Sequence, residues 1–132
     1  MARASRDDGV GASPRPPGHR QRLGARGERL AADWYRVHGY ELVARNWRCR
    51  EGELDLVVAR PGELVFCEVK SRSSDRFGVP AEAVTPAKQA RLRVLAARFL
   101  AEHTSDGRRG WSLRFDVAAV TGGRVEVIEA AF

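Results

Sequence analysis

Apolar residues along this chain follow two spacings, one typical of helices and the other typical of strands. A spacing of three and four residues predicts helices at 23–38 and 86–103. Short apolar runs bounded by turn residues predict five strands, at 40–47, 54–59, 64–69, 112–120 and 124–128. The predicted order is therefore helix, three strands, helix and two strands.

The apolar stripes also predict which side of each helix is buried. The stripe of the first helix comprises Leu23, Gly27, Leu30, Ala31, Trp34 and His38, and that of the second comprises Leu92, Leu95, Ala96 and Phe99. Gly39 ends the first helix, and Thr85 followed by Pro86 begins the second as N-cap and first helical residue. Lys88 precedes Leu92 by one turn, so we expect Lys88 to point toward the sheet.

The strand at 64–69, the second helix and the strand at 112–120 form a strand–helix–strand crossover. Such a connection is right-handed and places its two strands parallel in one sheet. The predicted fold is an α/β domain, with a mixed sheet flanked by helices on its faces.

The strands at 54–59 and 64–69 are apolar except for one carboxylate in each, Asp55 and Glu68. A hairpin centred on Pro61-Gly62 places Asp55 opposite Glu68, and places Glu53 opposite Lys70. The other side of this hairpin is predicted to be core, with the pairs Leu54–Val69, Leu56–Cys67 and Val58–Val65. Pro-Gly favours a type II turn, which is not the preferred hairpin turn, so a bulge that shifts the pairing by one residue is the alternative.

Two facing carboxylates repel each other unless a cation lies between them. Asp55, Glu68 and the carbonyl of Val69 are hard oxygen donors that suit Mg²⁺. A bound metal would polarise a phosphate and lower the pKa of a water, and Lys70 would orient that water or stabilise charge on phosphorus. The competing interpretation is an ordinary Glu53–Lys70 ion pair beside a solvated strand end.

Charge and composition indicate the class of partner and the extent of the folded domain. The 132 residues carry a net charge of +6, which favours polyanionic partners. Of the 23 basic residues only two are lysines, Lys70 and Lys88, so either these two positions need a compact ammonium or the two lysines remain by chance. Residues 1–21 are Arg/Pro/Gly-rich and are predicted to be a disordered tail, which leaves 22–132 as the folded domain.

The location is predicted to be cytoplasmic. No apolar run is long enough to span a membrane, and the N-terminus has no apolar segment typical of a secretory signal. Cys49 and Cys67 lack the spacing of a zinc site, and Cys67 is predicted to be a buried core residue in a reducing compartment.

Two polar connections are candidates for nucleic-acid binding. The first, at 46–52, places Arg48 and Arg50 beside Trp47, which either stacks on a base or completes the core. The second, at 71–80, contains Arg72 and Arg76 and is predicted to be a mobile loop at the substrate.

Seven stretches together resemble a known family. They are Gly24-x-x-Gly27-Glu28, Arg45-Asn46-Trp47-Arg48-Cys49, Gly52-Glu53-Leu54-Asp55, Val65-Phe66-Cys67-Glu68-Val69-Lys70-Ser71-Arg72, Phe77-Gly78, Lys88 and Arg114-Phe115-Asp116-Val117. The pattern resembles the PD-(D/E)xK, restriction-endonuclease-like superfamily. More closely, it resembles the YraN family of uncharacterised bacterial proteins, which are related to archaeal Holliday-junction resolvases.

The resemblance implies a restriction-endonuclease-like fold with Asp55, Glu68 and Lys70 as the nuclease core. It further implies that Glu28 is a helix-borne acid near the metal and that Lys88 contributes from the second helix. Without the resemblance, Glu28 is equally an ordinary solvated helix residue. Gln89 is followed four positions later by Arg93 rather than tyrosine, which argues against the exonuclease branch that uses a Gln-x-x-x-Tyr pattern.

The function predicted from the sequence is Mg²⁺-dependent or Mn²⁺-dependent endonuclease cleavage of DNA, with branched or junction DNA as one substrate. Junction resolution needs two active sites and would call for a homodimer, although no sequence feature specifies one. The alternatives are a catalytically silent nucleic-acid-binding module of the same fold and an interaction protein without a nucleic-acid role.

Overall fold

A computed structural model describes residues 19–72 and 84–132 of the chain. Its elements, in chain order, are α1 (His19–Val37), β1 (Glu41–Cys49), β2 (Gly52–Arg60), β3 (Glu63–Arg72), α2 (Pro86–Glu102), β4 (Ser112–Thr121) and β5 (Arg124–Ile128), with a single 3₁₀ turn at Thr104–Asp106 before β4. The five strands form one sheet in the order β1-β2-β3-β4-β5. Strands β3 and β4 are parallel, and the other neighbours are antiparallel, which confirms the mixed sheet and the crossover through α2.

Most element boundaries agree with the prediction to within two residues, but α1 and β3 extend further. Helix α1 begins at His19, inside the segment predicted as a tail, because its first turns are polar and lack the apolar spacing that reveals a helix. Strand β3 continues to Arg72, so Lys70 lies within the strand and not after it. The rest of the predicted tail, 1–18, lies outside the described residues. No helix within 19–72 and 84–132 is long and apolar enough to cross a membrane.

Helix α1 covers one face of the sheet. Ala31, Ala32 and Tyr35 pack against Leu56, Val58, Val65, Cys67 and Ala118. The buried stripe is rotated from the predicted one, since Tyr35 is fully buried whereas His38 is exposed and stacks on Trp34. The helix approaches β3 closely at Gly27, where an added Cβ would overlap the Ser71 hydroxyl.

Helix α2 covers the opposite face, and its predicted stripe is confirmed. Leu92, Leu95, Ala96 and Phe99 are all buried there. Trp47 is only 2% exposed and contacts Phe99 edge-to-face, so it belongs to the core and offers no stacking surface for a base.

The β2–β3 hairpin has the predicted register. Leu56 faces Cys67, Val58 faces Val65 and Arg60 faces Glu63. Gly62 has φ +83, the value that a type II turn requires at that position, and the bulge considered as the alternative is not present in this pairing.

The predicted Leu54–Val69 core pair is wrong. Leu54 lies in the core under α2, whereas Val69 packs on the α1 side. The exchange of faces occurs at Asp55, opposite Asn46, which has the positive φ of 53 in β1. A left-handed residue interrupts the regular alternation of a strand pair, and the residue that changes face here is Leu54, which lies on the α2 side and not on the α1 side.

A buried ionic network attaches α1 to β4. The Asp116 carboxylate is fully buried and accepts hydrogen bonds from Tyr35 Oη at 2.6 Å, from Arg114 Nε at 2.8 Å and from the Ala130 N–H at 3.0 Å. Burial raises the pKa of Tyr35, and the bonds to Asp116 raise the pKa of Arg114. Because every partner is satisfied, this network holds α1, β4 and the C-terminal segment in one arrangement.

Candidate active site

Asp55 and Glu68 lie at the end of the β2–β3 hairpin, just beyond its last paired residues. Regular pairing stops at Leu56 and Cys67, and the Val69 N–H donates instead to Asp55 Oδ2 at 2.8 Å. Glu68 is 8% exposed. Burial, and then the neighbouring charge of Glu68, raises the pKa of Asp55 to about 8. Asp55 therefore favours its protonated form unless a further positive charge offsets the neighbouring carboxylate.

Both lysines of the chain converge on Glu68. Lys88 Nζ lies 2.8 Å from Glu68 Oε2, and Lys70 Nζ lies 3.6 Å from the same oxygen. The prediction that Lys88 points toward the sheet is therefore confirmed. The predicted Glu53–Lys70 pairing is wrong, since Glu53 contacts Arg48 across β1 and β2 at 3.5 Å.

The environments of the two lysines push their proton affinities apart. Burial, together with the nearby Lys88 ammonium, lowers the pKa of Lys70. Burial acts in the same direction on Lys88, but the contact with Glu68 outweighs it and raises the pKa of Lys88. Lys88 is thus held as a cation, whereas Lys70 is the group more easily deprotonated.

Glu28 approaches the same region from α1. It is partly buried, and burial raises its pKa, an effect that a hydrogen bond from Asn46 opposes. Its charge also contributes to the raised pKa of Asp55. The close approach of α1 to β3 at Gly27 places the neighbouring Glu28 against the sheet, so Glu28 is not an ordinary solvated helix residue.

The chemistry of the donor set fits Mg²⁺ or Mn²⁺. Asp55 and Glu68 offer carboxylate oxygens, and the Val69 carbonyl faces β2 because a strand residue directs its N–H and C=O to the same side. Within the described parts of the chain, no cluster of three or more His, Cys, Asp or Glu residues is suited to hold a metal ion. A cation bound by few protein ligands with several retained waters is the mode that Mg²⁺ favours.

The arginines predicted to bind nucleic acid have different surroundings. Arg48 and Arg50 are exposed near the turn between β1 and β2, and Arg48 contacts Glu53. Arg72 is partly buried at the end of β3. Arg76 and most of the predicted loop lie outside the described residues.

Sequence reasoning missed Asn46 and misplaced Glu53. Asn46 supports Glu28 through a side-chain hydrogen bond, and Glu53 adds negative charge that raises the pKa of both Glu28 and Asp55. Asparagine is among the residues that most readily adopt positive φ, so an Asn within a predicted strand was the available signal for an irregularity.

A cavity of about 320 Å³ lies at the opposite end of α2. Leu100, Trp111 and Leu113 line it together with His103 and Arg109. No Asp or Glu lines this cavity, so we place the carboxylate chemistry at the hairpin end and not here.

The site residues fall within a region shared with other proteins. The sequence model of a family described as "Uncharacterised protein family UPF0102" matches residues 27–120. The chain belongs to this family. UPF0102 is the YraN family that the sequence pattern resembles, and the matched region includes Glu28, Asp55, Glu68, Lys70 and Lys88.

Relatives in the family cover most of the chain. A UPF0102 protein of Beutenbergia cavernae is 61% identical over 99 residues, which are 74% of this chain and 80% of the relative. A UPF0102 protein of Acidothermus cellulolyticus is 46% identical over 125 residues, covering 86% of this chain and 95% of the relative. One from Frankia casuarinae is 54% identical over 115 residues, covering 83% and 95%. These names state no reaction, so the reaction has to be argued from the site.

Proposed function

We propose that this member of UPF0102 hydrolyses phosphodiester bonds of DNA in a divalent-cation-dependent reaction. The observation that carries the proposal is the closeness of Asp55 and Glu68 at the hairpin end, where the charge of Glu68 raises the pKa of Asp55 and Lys70 contacts Glu68. A carboxyl group whose pKa is raised to about 8 by burial and by a second carboxylate is costly to keep in a fold. Such groups are characteristic of sites that bind cations or transfer protons.

In this proposal the residues of the chain have distinct roles. Asp55, Glu68 and the Val69 carbonyl hold the cation, which supplies Lewis acidity and a more acidic water. The Val69 N–H fixes the orientation of the Asp55 carboxylate through its 2.8 Å bond. Glu28 adds negative charge from α1 that favours a cation over an empty site.

Lys70 is proposed to hold the attacking water. Lys70 lies on the strand that carries Glu68, and the lowered pKa of its ammonium makes release of a proton easier. In its charged form Lys70 stabilises the charge that develops on the phosphate oxygens.

The surroundings support a nucleic acid as substrate. Arg48 keeps 78% of its side chain exposed despite its contact with Glu53, and an exposed pair of this kind is weak enough to yield to a phosphate. Arg50 is likewise exposed. These residues would bind the backbone without reading sequence, which suits recognition of DNA shape, including branched DNA.

The test is cleavage of a DNA panel by the purified protein. Four-way junction, flap, single-stranded and duplex DNA are incubated with Mg²⁺ or Mn²⁺, and nicks are counted on denaturing gels. We expect Lys70→Ala and Asp55→Asn to lower the cleavage rate by about 100-fold or more. Arg109→Ala, which changes an exposed residue beside the distant cavity, should cleave like the parent protein.

The outcomes separate the leading proposal from its alternatives. Cleavage that persists in Lys70→Ala would show that the activity belongs to a contaminant or to other residues. Binding of DNA without cleavage by the parent protein would favour a nucleic-acid-binding module, whose affinity should fall steeply as salt is raised.

A further inference from the structure

Lys88 occupies one of the two carboxylate oxygens through which Glu68 could bind a metal. Its Nζ is 2.8 Å from Glu68 Oε2, which is the distance of a charge-assisted hydrogen bond. Lys70 lies near the same oxygen, but at 3.6 Å its contact is longer. Glu68 exposes only 10% of its side chain, so this oxygen has little access to water. The neutralising partner of Glu68 is therefore Lys88.

We propose that Lys88 is an internal counter-cation for Glu68, and that it leaves Glu68 when a divalent cation binds between Asp55 and Glu68. This inference rests on the proposed metal site and adds a competitor to it. Two positive groups cannot share one carboxylate oxygen at bonding distance without strong repulsion, because a divalent ion carries twice the charge of the ammonium it meets.

The position of Lys88 makes this exchange feasible. Lys70 belongs to the strand that carries Glu68, whereas Lys88 reaches Glu68 from the first turn of α2 through a flexible four-carbon stem. The backbone of that turn is fixed, since the Lys88 N–H donates to Thr85 Oγ1 at 3.2 Å. The Lys88 side chain is 33% exposed, so its ammonium can move into solvent while the helix stays in place.

Competition has a consequence for affinity. A cation that enters must break the Lys88–Glu68 contact, so the protein binds it more weakly than the same carboxylates would without Lys88. Linkage requires the converse as well, namely that the bound cation weakens the hold of Glu68 on Lys88 by the same factor. Lys88 is in this sense a positioning residue that acts through Glu68.

The test uses the fact that Lys70 and Lys88 are the only two lysines of the 132 residues. Lysine labelled with ¹³C at Cε and ¹⁵N at Nζ gives two signals, which are assigned from Lys70→Arg and Lys88→Arg spectra. Mg²⁺ is titrated into the labelled parent protein, and through-space contacts from each lysine to the Glu68 side chain are followed. We expect the Lys88 contact to disappear as the site saturates.

A second measurement compares Mg²⁺ affinity among variants by calorimetry. Lys88→Met should bind Mg²⁺ about tenfold more tightly or better, which is the change that loss of one competing charge-assisted hydrogen bond produces. Arg91→Met is the matched control, because it removes a cation from the same helix. The Cδ of Arg91 lies 3.8 Å from the position that a Cβ on Gly52 would occupy. Its affinity should change by less than about threefold.

Two results would overturn the inference while leaving the metal site intact. One is Mg²⁺ binding by the parent protein with the Lys88–Glu68 contact retained. The other is a Lys88→Met affinity no higher than that of Arg91→Met. Failure of both the parent and Lys88→Met to bind Mg²⁺ would instead overturn the metal site, and this inference with it. With only two lysine signals, the Lys70→Arg spectrum alone assigns both, so the parent spectrum decides even if Lys88→Met does not fold.

Discussion

Replacing Asp55 by asparagine should make the protein more stable when divalent cations are removed. Asp55 is the carboxyl group whose folded environment opposes ionisation, because burial and Glu68 raise its pKa from 3.8 to about 8. An amide carries no charge to bury. Its oxygen can still accept a hydrogen bond from the Val69 N–H.

The magnitude follows from the pKa shift. Between about pH 4 and about pH 8 the folded protein retains a proton on Asp55 that the unfolded chain has released. The free energy of unfolding of the parent protein therefore falls as the pH rises through this interval. At pH 7 the interval already covers about three units at about 1.4 kcal/mol each, or about 4 kcal/mol. Imperfect hydrogen bonding of the new amide reduces the expected gain to about 2–4 kcal/mol.

The assay is denaturant unfolding in a chelating buffer, followed by tryptophan fluorescence from pH 5 to pH 8.5. The advantage of Asp55→Asn over the parent should grow with pH and level off above about pH 8. At pH 7 the melting temperature should rise by about 5–15 °C. Asp33→Asn is the matched control, since Asp33 is an exposed residue of α1 and should change stability by less than about 0.5 kcal/mol.

A variant that is no more stable than the parent at pH 7 would refute this reasoning. So would an advantage that does not change between pH 5 and pH 8. Either result would mean that burial and the charge of Glu68 do not oppose ionisation of Asp55 in the folded protein. Their pairing could then not be attributed to a requirement for a cation.

Three further predictions concern the packing that positions the site. Gly27→Ala should lower the free energy of unfolding by about 1–3 kcal/mol, because the new Cβ would lie 3.2 Å from Ser71 Cβ and overlap the Ser71 hydroxyl. Gly24→Ala, whose new Cβ would have nothing within 4 Å, should be neutral or stabilising. Equal effects of the two substitutions in thermal melts would contradict this prediction. Asp116→Asn should cost about 3–5 kcal/mol in denaturant unfolding, since it breaks a fully buried ionic network, and a loss below about 1 kcal/mol would show that the network is not needed. Thr85→Ala should cost about 1 kcal/mol by removing the N-cap of α2, whereas Thr85→Ser should cost only a few tenths; similar losses in the two variants would argue against the cap.

The register of the central hairpin was predictable because two constraints agree. The turn at Pro61-Gly62 sets which residues face each other, and apolar side chains on both strands make a shift by one residue unfavourable. Helix α2 was predictable from local sequence as well, because its N-cap and its buried stripe lie within a few residues of each other. Local patterns of this kind need no knowledge of the rest of the fold.

The remainder of the site depends on contacts between distant segments. Lys70 contacts Glu68 and not Glu53, because Glu53 turns to Arg48 on the neighbouring strand. The irregularity beside Asp55 lies opposite the left-handed Asn46 of another strand. The spacing of residues along the sequence does not predict these contacts, since each depends on how three strands pack together.

The burial of Tyr35 was missed for a similar reason. The polar hydroxyl of a tyrosine makes its burial hard to predict from a helix pattern. Here the Tyr35 hydroxyl donates a hydrogen bond to Asp116, which is 81 residues away in the sequence. That hydrogen bond allows the polar group to be buried. Sequence periodicity therefore predicted the helix but placed its buried stripe about one residue away from the observed one.

Calorimetric titration of Mg²⁺ and Mn²⁺ into the chelator-treated protein tests the central claim most directly. We expect the parent protein to bind one divalent cation per chain, and we expect Asp55→Asn and Glu68→Gln each to abolish that binding while Asp33→Asn preserves it. Absence of binding by the folded parent protein would contradict the claim that these two carboxylates form a metal site. Binding by Asp55→Asn and Glu68→Gln as tight as that of the parent would contradict it as well.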